Sequence, residues 1–120
     1  MDKRDFKGIV PALITPMNAE GALHEESLRA VFEFNVEAGV HGFWVAGGTG
    51  ESILLSDGEN RRIAEIVSDQ NWGRVKNIMH VGAPTTERAV ALARHAASVG
   101  VEAICCIPSF FYRRTDEEIV

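Results

Sequence analysis

The sequence has no hydrophobic run of transmembrane length, and it contains little cysteine, lysine or tyrosine. Its apolar stretches are strand-sized, so no membrane crossing is expected, and no apolar segment follows residues 1–5 as it would in a signal peptide. The net charge of −5 disfavours nucleic acid as a partner. The only cysteines, Cys105 and Cys106, are adjacent, which favours buried free thiols over a disulfide or a metal site. These absences predict a cytoplasmic protein with no metal, membrane or nucleic-acid partner.

What the sequence does contain is a regular alternation of strand-like and helix-like segments. Apolar runs of strand length occur at 8–14, 42–46, 77–81 and 102–107. Apolar residues at helical spacing follow the first three runs, over 25–38, after the capping box Ser56–Glu59, and over 86–99. Thr115 and Glu118 repeat the capping-box spacing, so a fourth helix is expected to begin there. Four βα units in a row predict an α/β fold with a parallel sheet.

The number of units distinguishes between the parallel architectures. No G-x-G-x-x-G opens a helix after the first strand, which disfavours a dinucleotide-binding sheet. A (β/α)8 TIM barrel needs eight units and roughly 200 or more residues. Four units cannot close such a barrel, and their outer strands carry unpaired backbone groups. Residues 1–120 are therefore expected to be the N-terminal half of a single TIM-barrel domain in a longer protein, called the full-length protein below.

The strongest functional signal is the loop Gly47-Gly48-Thr49-Gly50-Glu51-Ser52, which follows the second strand. Glycine permits positive φ and a close backbone approach, so successive amides can converge on an anion. Thr49 adds a hydroxyl that can donate to a carboxylate or phosphate oxygen. The alternative is a tight βα connection whose glycines serve only the turn. Taken alone, the loop leaves both interpretations open.

Four segments occur in an order and spacing that resemble one family; they are 12–17, 49–52, 80–83 and 108–112. The chain resembles the dihydrodipicolinate synthase/N-acetylneuraminate lyase family of pyruvate-dependent class I aldolases over essentially its whole length. The segment His80-Val81-Gly82-Ala83 is more similar to the sialic acid lyase branch. The resemblance implies a TIM barrel, a homotetramer, no cofactor and a 2-oxo acid substrate whose pyruvate moiety forms a Schiff base with a lysine.

The resemblance also assigns substrate-binding residues in the glycine loop. Gly48, Thr49 and Gly50 are expected to hold the pyruvate carboxylate through backbone amides and the Thr49 hydroxyl. Gly48 stands where family members have threonine or serine, whose hydroxyl helps to orient a tyrosine. Backbone donors survive this change, whereas the proton relay through the tyrosine is put in question.

The relay tyrosine of the family lies in the loop after the fourth strand, and this chain has Phe110-Phe111-Tyr112 there. Alignment on Pro108 places the family position on Phe110, and alignment on the following basic pair places it on Phe111. Tyr112 is the catalytic candidate if the loop is longer than usual. The alternative is an ordinary half-exposed loop aromatic.

The Schiff-base lysine is absent from these residues. The three lysines, Lys3, Lys7 and Lys76, precede the first strand or start the third, away from the strand ends where a barrel builds its site. The resemblance places the catalytic lysine on a sixth strand, so the 120-residue chain alone is expected not to form a Schiff base.

Several functions therefore stay open. An aldolase or lyase acting on N-acetylneuraminate is favoured over a dihydrodipicolinate synthase or a 2-keto-3-deoxy sugar-acid aldolase. A non-catalytic pyruvate-binding homologue is the alternative of another class. Structural roles are expected for His80 as a satisfied histidine, for Glu51 as an acceptor of local amides, and for Trp44 in the core.

Overall fold

The computed structural model describes residues 6–119, in which three parallel strands form one sheet in the order β1-β2-β3. The strands are β1 Gly42–Val45, β2 Lys76–His80 and β3 Ala103–Cys105. They correspond to the second, third and fourth predicted strands. Helix α1 Glu25–Glu37 precedes β1, and α2 Asp57–Asn71 and α3 Thr86–Ser98 provide the two crossovers. The predicted parallel α/β alternation is confirmed.

The predicted first strand is shorter in the structure than the sequence suggests. The segment 9–13 lies parallel beside β1; the Trp44 amide donates to the Pro11 carbonyl, and the Leu13 amide donates to the Trp44 carbonyl, both at 2.9 Å. Only Ala12 forms a bridge to β1. Proline has no amide hydrogen, so Pro11 cannot extend the ladder as a donor. The parallel direction is as predicted, but the pairing is a single bridge rather than a strand.

Capping residues set the helix starts that the sequence indicates. The Ser56 hydroxyl accepts from the Glu59 amide at 3.1 Å, and the Glu59 carboxylate accepts from the Ser56 amide at 2.8 Å, so the capping box of α2 is complete. At the start of α4 Asp116–Ile119, the Thr115 amide donates to the Glu118 carboxylate at 2.9 Å. None of the helices in residues 6–119 has the length and apolar character that a membrane crossing needs.

The hydrophobic core lies between one face of the sheet and the helices. Phe43 and Val45 are fully buried on that face, and the Phe43 ring lies 4.6 Å, centroid to centroid, from that of Phe32 on α1. Each such large apolar side chain contributes about 1.5–3 kcal/mol by leaving water. Neighbouring residues of a strand point to opposite faces, so Trp44 lies on the other face and is 42% exposed. Trp44 is therefore not part of the core that residues 6–119 form between the sheet and the helices. Its face of the sheet is the interior of the expected barrel, so its packing in a barrel core stays a prediction.

Cys105 is the last residue of β3, and Cys106 follows it outside the strand. Both are free thiols; Cys105 is half-buried and Cys106 is exposed, so the expected burial holds only for the first. Burial raises the pKa of the Cys105 thiol, which keeps it protonated at neutral pH.

Candidate functional site

The glycine loop lies at the C-terminal end of β1, where the ends of the other strands also meet. A cavity of about 410 Å³ opens at this edge. It is lined by Gly47, Gly48, Glu51, Ser52, Ile53, Leu54, His80 and Ile107. The structure therefore brings together the loop after β1, the end of β2 and the segment after β3, as the barrel prediction requires.

Two residues other than glycine make the sharp turns of this loop. Ala46 with φ of 48° and Glu51 with φ of 58° have left-handed backbone, whereas none of the loop's glycines does. Gly47 instead gives space to a side chain, because a Cβ there would lie 2.8 Å from Cδ1 of the Trp44 indole. The expectation that positive φ at the glycines shapes the loop is wrong, and Gly47 instead permits a close approach of the Trp44 ring.

Backbone atoms pack closely around Gly50, whereas the space around Gly48 is open. A Cβ on Gly50 would lie 2.9 Å from the Ala46 Cα and 3.2 Å from the Leu13 carbonyl oxygen, and both are backbone atoms that cannot swing aside. A Cβ on Gly48 would meet no atom within 4 Å. Packing therefore requires glycine at position 50 but has no need of it at position 48, where a hydroxyl residue would fit.

The loop is fixed at one residue and open at the next. The Thr15 hydroxyl donates to the Gly50 carbonyl at 2.6 Å, which ties the loop to the end of the N-terminal segment. Thr49 and Gly48 are exposed, so the Thr49 hydroxyl is accessible to a ligand. The sequence indicates Thr15 only as a residue at a strand end, and its anchoring bond is visible only in the structure.

His80 is buried at the end of β2, with 5% of its surface exposed. Its Nδ1 lies 3.2 Å from the Ser52 hydroxyl, and the Ile107 amide approaches its Nε2 at 3.5 Å. Burial lowers the pKa of His80, and a hydrogen bond to the Ala46 backbone acts in the opposite direction. The predicted position at a strand end with hydrogen-bond partners agrees with these contacts, and a structural role stays a prediction. Its serine partner has no signal in the sequence, since the two residues are 28 positions apart.

Glu51 is exposed at the start of the 3₁₀ turn Ser52–Leu54, and its side chain makes no capping hydrogen bond. The expectation that its carboxylate accepts from local amides is therefore wrong. A capping residue normally has extended backbone, whereas the backbone of Glu51 is left-handed. Among residues 6–119, no cluster of three or more histidine, cysteine or acidic side chains is arranged to hold a metal.

The three aromatic residues that follow β3, residues 110–112, differ in exposure and in their neighbours. Tyr112 is 71% exposed, and its ring contacts that of Phe111 edge-on with centroids 5.0 Å apart. Phe111 is also exposed and has left-handed backbone with φ of 79°. Phe110 instead lines a small cavity of about 40 Å³ together with Ser52 and other residues. Of the three rings, that of Phe110 shares a cavity with a residue of the glycine loop, and the catalytic role of Tyr112 stays a prediction.

Lys7 and Lys76 lie where the sequence predicts. Lys76 is the first residue of β2, and both lysines line a cavity with His41 at the N-terminal ends of the strands. This is the opposite end of the sheet from Gly48. Lys3 lies outside the described residues. Neither described lysine is therefore placed for chemistry at the glycine loop.

Comparison with known proteins places this geometry in one family. The model of the dihydrodipicolinate synthetase family matches residues 5–120. N-acetylneuraminate lyase of Enterobacter sp. (strain 638) is 36% identical over 115 residues, which are 96% of this chain and 39% of that protein.

Solved structures agree with this match. N-acetylneuraminate lyase of Mycoplasma synoviae superposes with a TM-score of 0.94 at 33% identity, over 98% of this chain and 41% of that one. Dihydrodipicolinate synthase of Aquifex aeolicus superposes with a TM-score of 0.90 at 33% identity. The match covers 95% of this chain and 39% of that one. This chain therefore spans about two fifths of the length of these relatives and supplies the first units of a TIM barrel. It belongs to the dihydrodipicolinate synthetase family.

Proposed function

We propose that the full-length protein is a pyruvate-dependent Schiff-base aldolase or lyase acting on a 2-oxo acid, with N-acetylneuraminate the favoured substrate. In this proposal residues 1–120 are the N-terminal half of one TIM-barrel domain. The observation that carries the proposal is the glycine loop at the C-terminal edge of the sheet, with Gly50 anchored and Thr49 accessible. Relatives named N-acetylneuraminate lyase favour that substrate over the others.

The loop suits a carboxylate by its chemistry. The Thr49 hydroxyl and the amides of Gly48 and Gly50 are donors, and hydrogen bonds to an ionised acceptor contribute about 1.5–3 kcal/mol each. Because Thr15 and the close contact at Ala46 fix Gly50, these donors are positioned before the ligand arrives. Such preorganisation lowers the ordering cost of binding.

The reaction also requires a Schiff-base lysine and a group that relays protons. The Schiff-base lysine comes from a later strand, since Lys7 and Lys76 lie at the opposite end of the sheet. Tyr112 is the relay candidate within this chain, and it is exposed in the part of the chain that the structure describes. The protein is proposed to be a cytoplasmic homotetramer that needs no cofactor and binds neither membranes nor nucleic acid.

Two observations keep a non-catalytic pyruvate-binding homologue as the second candidate. Gly48 lacks the family hydroxyl although a side chain would fit there, and Tyr112 is exposed and does not line the cavity beside the loop. A dihydrodipicolinate synthase or a 2-keto-3-deoxy sugar-acid aldolase is the alternative among the enzymes, and the Aquifex aeolicus structure is similar enough to support it.

Borohydride trapping distinguishes these candidates. The full-length protein incubated with pyruvate and borohydride is expected to gain one reduced pyruvate adduct, seen by intact mass spectrometry. The 120-residue chain treated in the same way is expected to gain none. A folded full-length protein that binds pyruvate in calorimetry but is never trapped would establish the non-catalytic homologue and overturn the aldolase proposal.

A further inference from the structure

His80 is a buried titratable group beside the glycine loop that the proposed chemistry leaves unused. Four neighbours surround its ring, and one of them is the Ala46 backbone, with which it forms a hydrogen bond. Nδ1 faces the Ser52 hydroxyl at 3.2 Å, and Nε2 faces the Ile107 amide at 3.5 Å. On the remaining side, Gly82 lies so close that a Cβ there would be 2.7 Å from both Cε1 and Nε2. The ring therefore has one position, fixed by the ends of all three strands.

The donors and acceptors around this ring select one protonation state. A backbone amide can only donate, so Ile107 requires a lone pair on Nε2, and the ring proton then sits on Nδ1. With the proton on Nδ1, the acceptors available to the ring are the Ser52 hydroxyl, 3.2 Å away, and the Ala46 backbone. Burial, which lowers the pKa of His80, favours the same neutral form. Glu51 is the charged residue that lines the cavity on this side.

Ser52 transmits this contact to the rest of the loop. Its amide donates to the Gly47 carbonyl at 3.4 Å, and its carbonyl accepts from the Asn60 side chain on α2 at 3.2 Å. The amides of Gly48 and Gly50 and the Thr49 hydroxyl all belong to the turn that this bond closes. A shift of Ser52 therefore moves the backbone that carries the carboxylate donors.

We propose that His80 is a positioning residue for the substrate carboxylate, which acts by holding Ser52 and thereby the anion-binding backbone of residues 47–52. Its contact with the Ile107 amide holds the segment after β3 beside the same loop. This inference rests on the proposed function and names what sets the geometry of that site.

The test uses the full-length protein with pyruvate as the probe. Ser52→Ala and His80→Leu each remove the contact at Nδ1, and each is expected to raise the half-saturating pyruvate concentration in borohydride trapping about tenfold. The maximal trapping rate is expected to stay within about twofold of wild type, because neither residue touches the reacting carbon. The double variant should bind no more weakly than His80→Leu, since the contact that Ser52→Ala removes is already absent from that variant.

His80→Asn and a matched pair elsewhere distinguish positioning from general stability. The side-chain amide nitrogen that His80→Asn introduces can donate to the Ser52 hydroxyl, so this variant is expected to restore most of the affinity. His24 and Ser27 form a similar pair at the start of α1, with Nδ1 and Oγ 2.8 Å apart. Ser27→Ala is expected to leave pyruvate affinity unchanged.

Each outcome decides between the two proposals. Unchanged affinity in folded Ser52→Ala and His80→Leu, or an equal loss in Ser27→Ala, would overturn the positioning role while wild-type trapping keeps the proposed function. If His80→Leu does not fold, Ser52→Ala and His80→Asn provide the same comparison. A wild-type protein that is neither trapped nor bound by pyruvate would overturn both proposals together.

Discussion

Gly50→Ala and Gly48→Ala place the same methyl group two residues apart in the glycine loop, with opposite expected results. At position 50 the Cβ would lie 2.9 Å from the Ala46 Cα, 3.1 Å from the Ala46 nitrogen and 3.2 Å from the Leu13 carbonyl oxygen. All three are backbone atoms in tightly packed segments, so the loop has to move. Overpacking of this kind costs about 1–3 kcal/mol.

The same movement also weakens a second interaction. The Thr15 hydroxyl donates to the Gly50 carbonyl at 2.6 Å, and losing such a bond costs about 0.5–1.5 kcal/mol. The combined loss for Gly50→Ala is therefore about 1.5–4.5 kcal/mol in the free energy of unfolding. At position 48 a Cβ meets nothing within 4 Å and φ is not left-handed, so Gly48→Ala is expected to leave stability unchanged or to raise it by up to about 1 kcal/mol.

Urea unfolding of the two full-length variants at one pH measures this difference directly. Circular dichroism before unfolding checks that each variant has the wild-type fold. If the two unfolding free energies differ by less than about 0.5 kcal/mol, the argument from close packing at Gly50 is refuted.

Three further predictions concern single side chains at the same edge of the sheet. Thr49→Val is expected to raise the pyruvate dissociation constant about tenfold, the effect of one charge-assisted hydrogen bond, and calorimetry showing no change would exclude the role. Tyr112→Phe is expected to lower turnover about 10²-fold or more if its phenol relays the proton, whereas unchanged turnover would assign the relay to another group. Folding lowers the pKa of His80 below its ordinary value of 6.5, so below about pH 6.5 the unfolded chain binds more protons than the folded chain. The free energy of unfolding should therefore decrease as the pH falls through this range. His80→Asn is expected to reduce the slope of stability against pH in this range. An unchanged slope would contradict the attribution of this pH dependence to His80.

Local sequence signals predicted the repeating elements because each depends on neighbours in the chain. The capping box at Ser56 and Glu59 fixes the start of α2 through groups three residues apart. Apolar residues at helical spacing likewise predicted the buried face of α1, where Leu28 and Phe32 face the core. The first predicted strand shows the limit of this reasoning, since an apolar run does not reveal how few backbone pairs Pro11 permits.

The amino-acid sequence alone determined the α/β class, the order of the units and the position of the glycine loop, because periodicity and capping are local properties. Only the tertiary structure decided which glycine is required by packing, which turn residues are left-handed and which aromatic ring shares a cavity with a residue of the loop. The Thr15–Gly50 bond joins residues 35 positions apart, and the Ser52–His80 contact joins residues 28 apart. Such contacts form only when separate strand ends meet at one edge of the sheet, so no pattern within either segment encodes them.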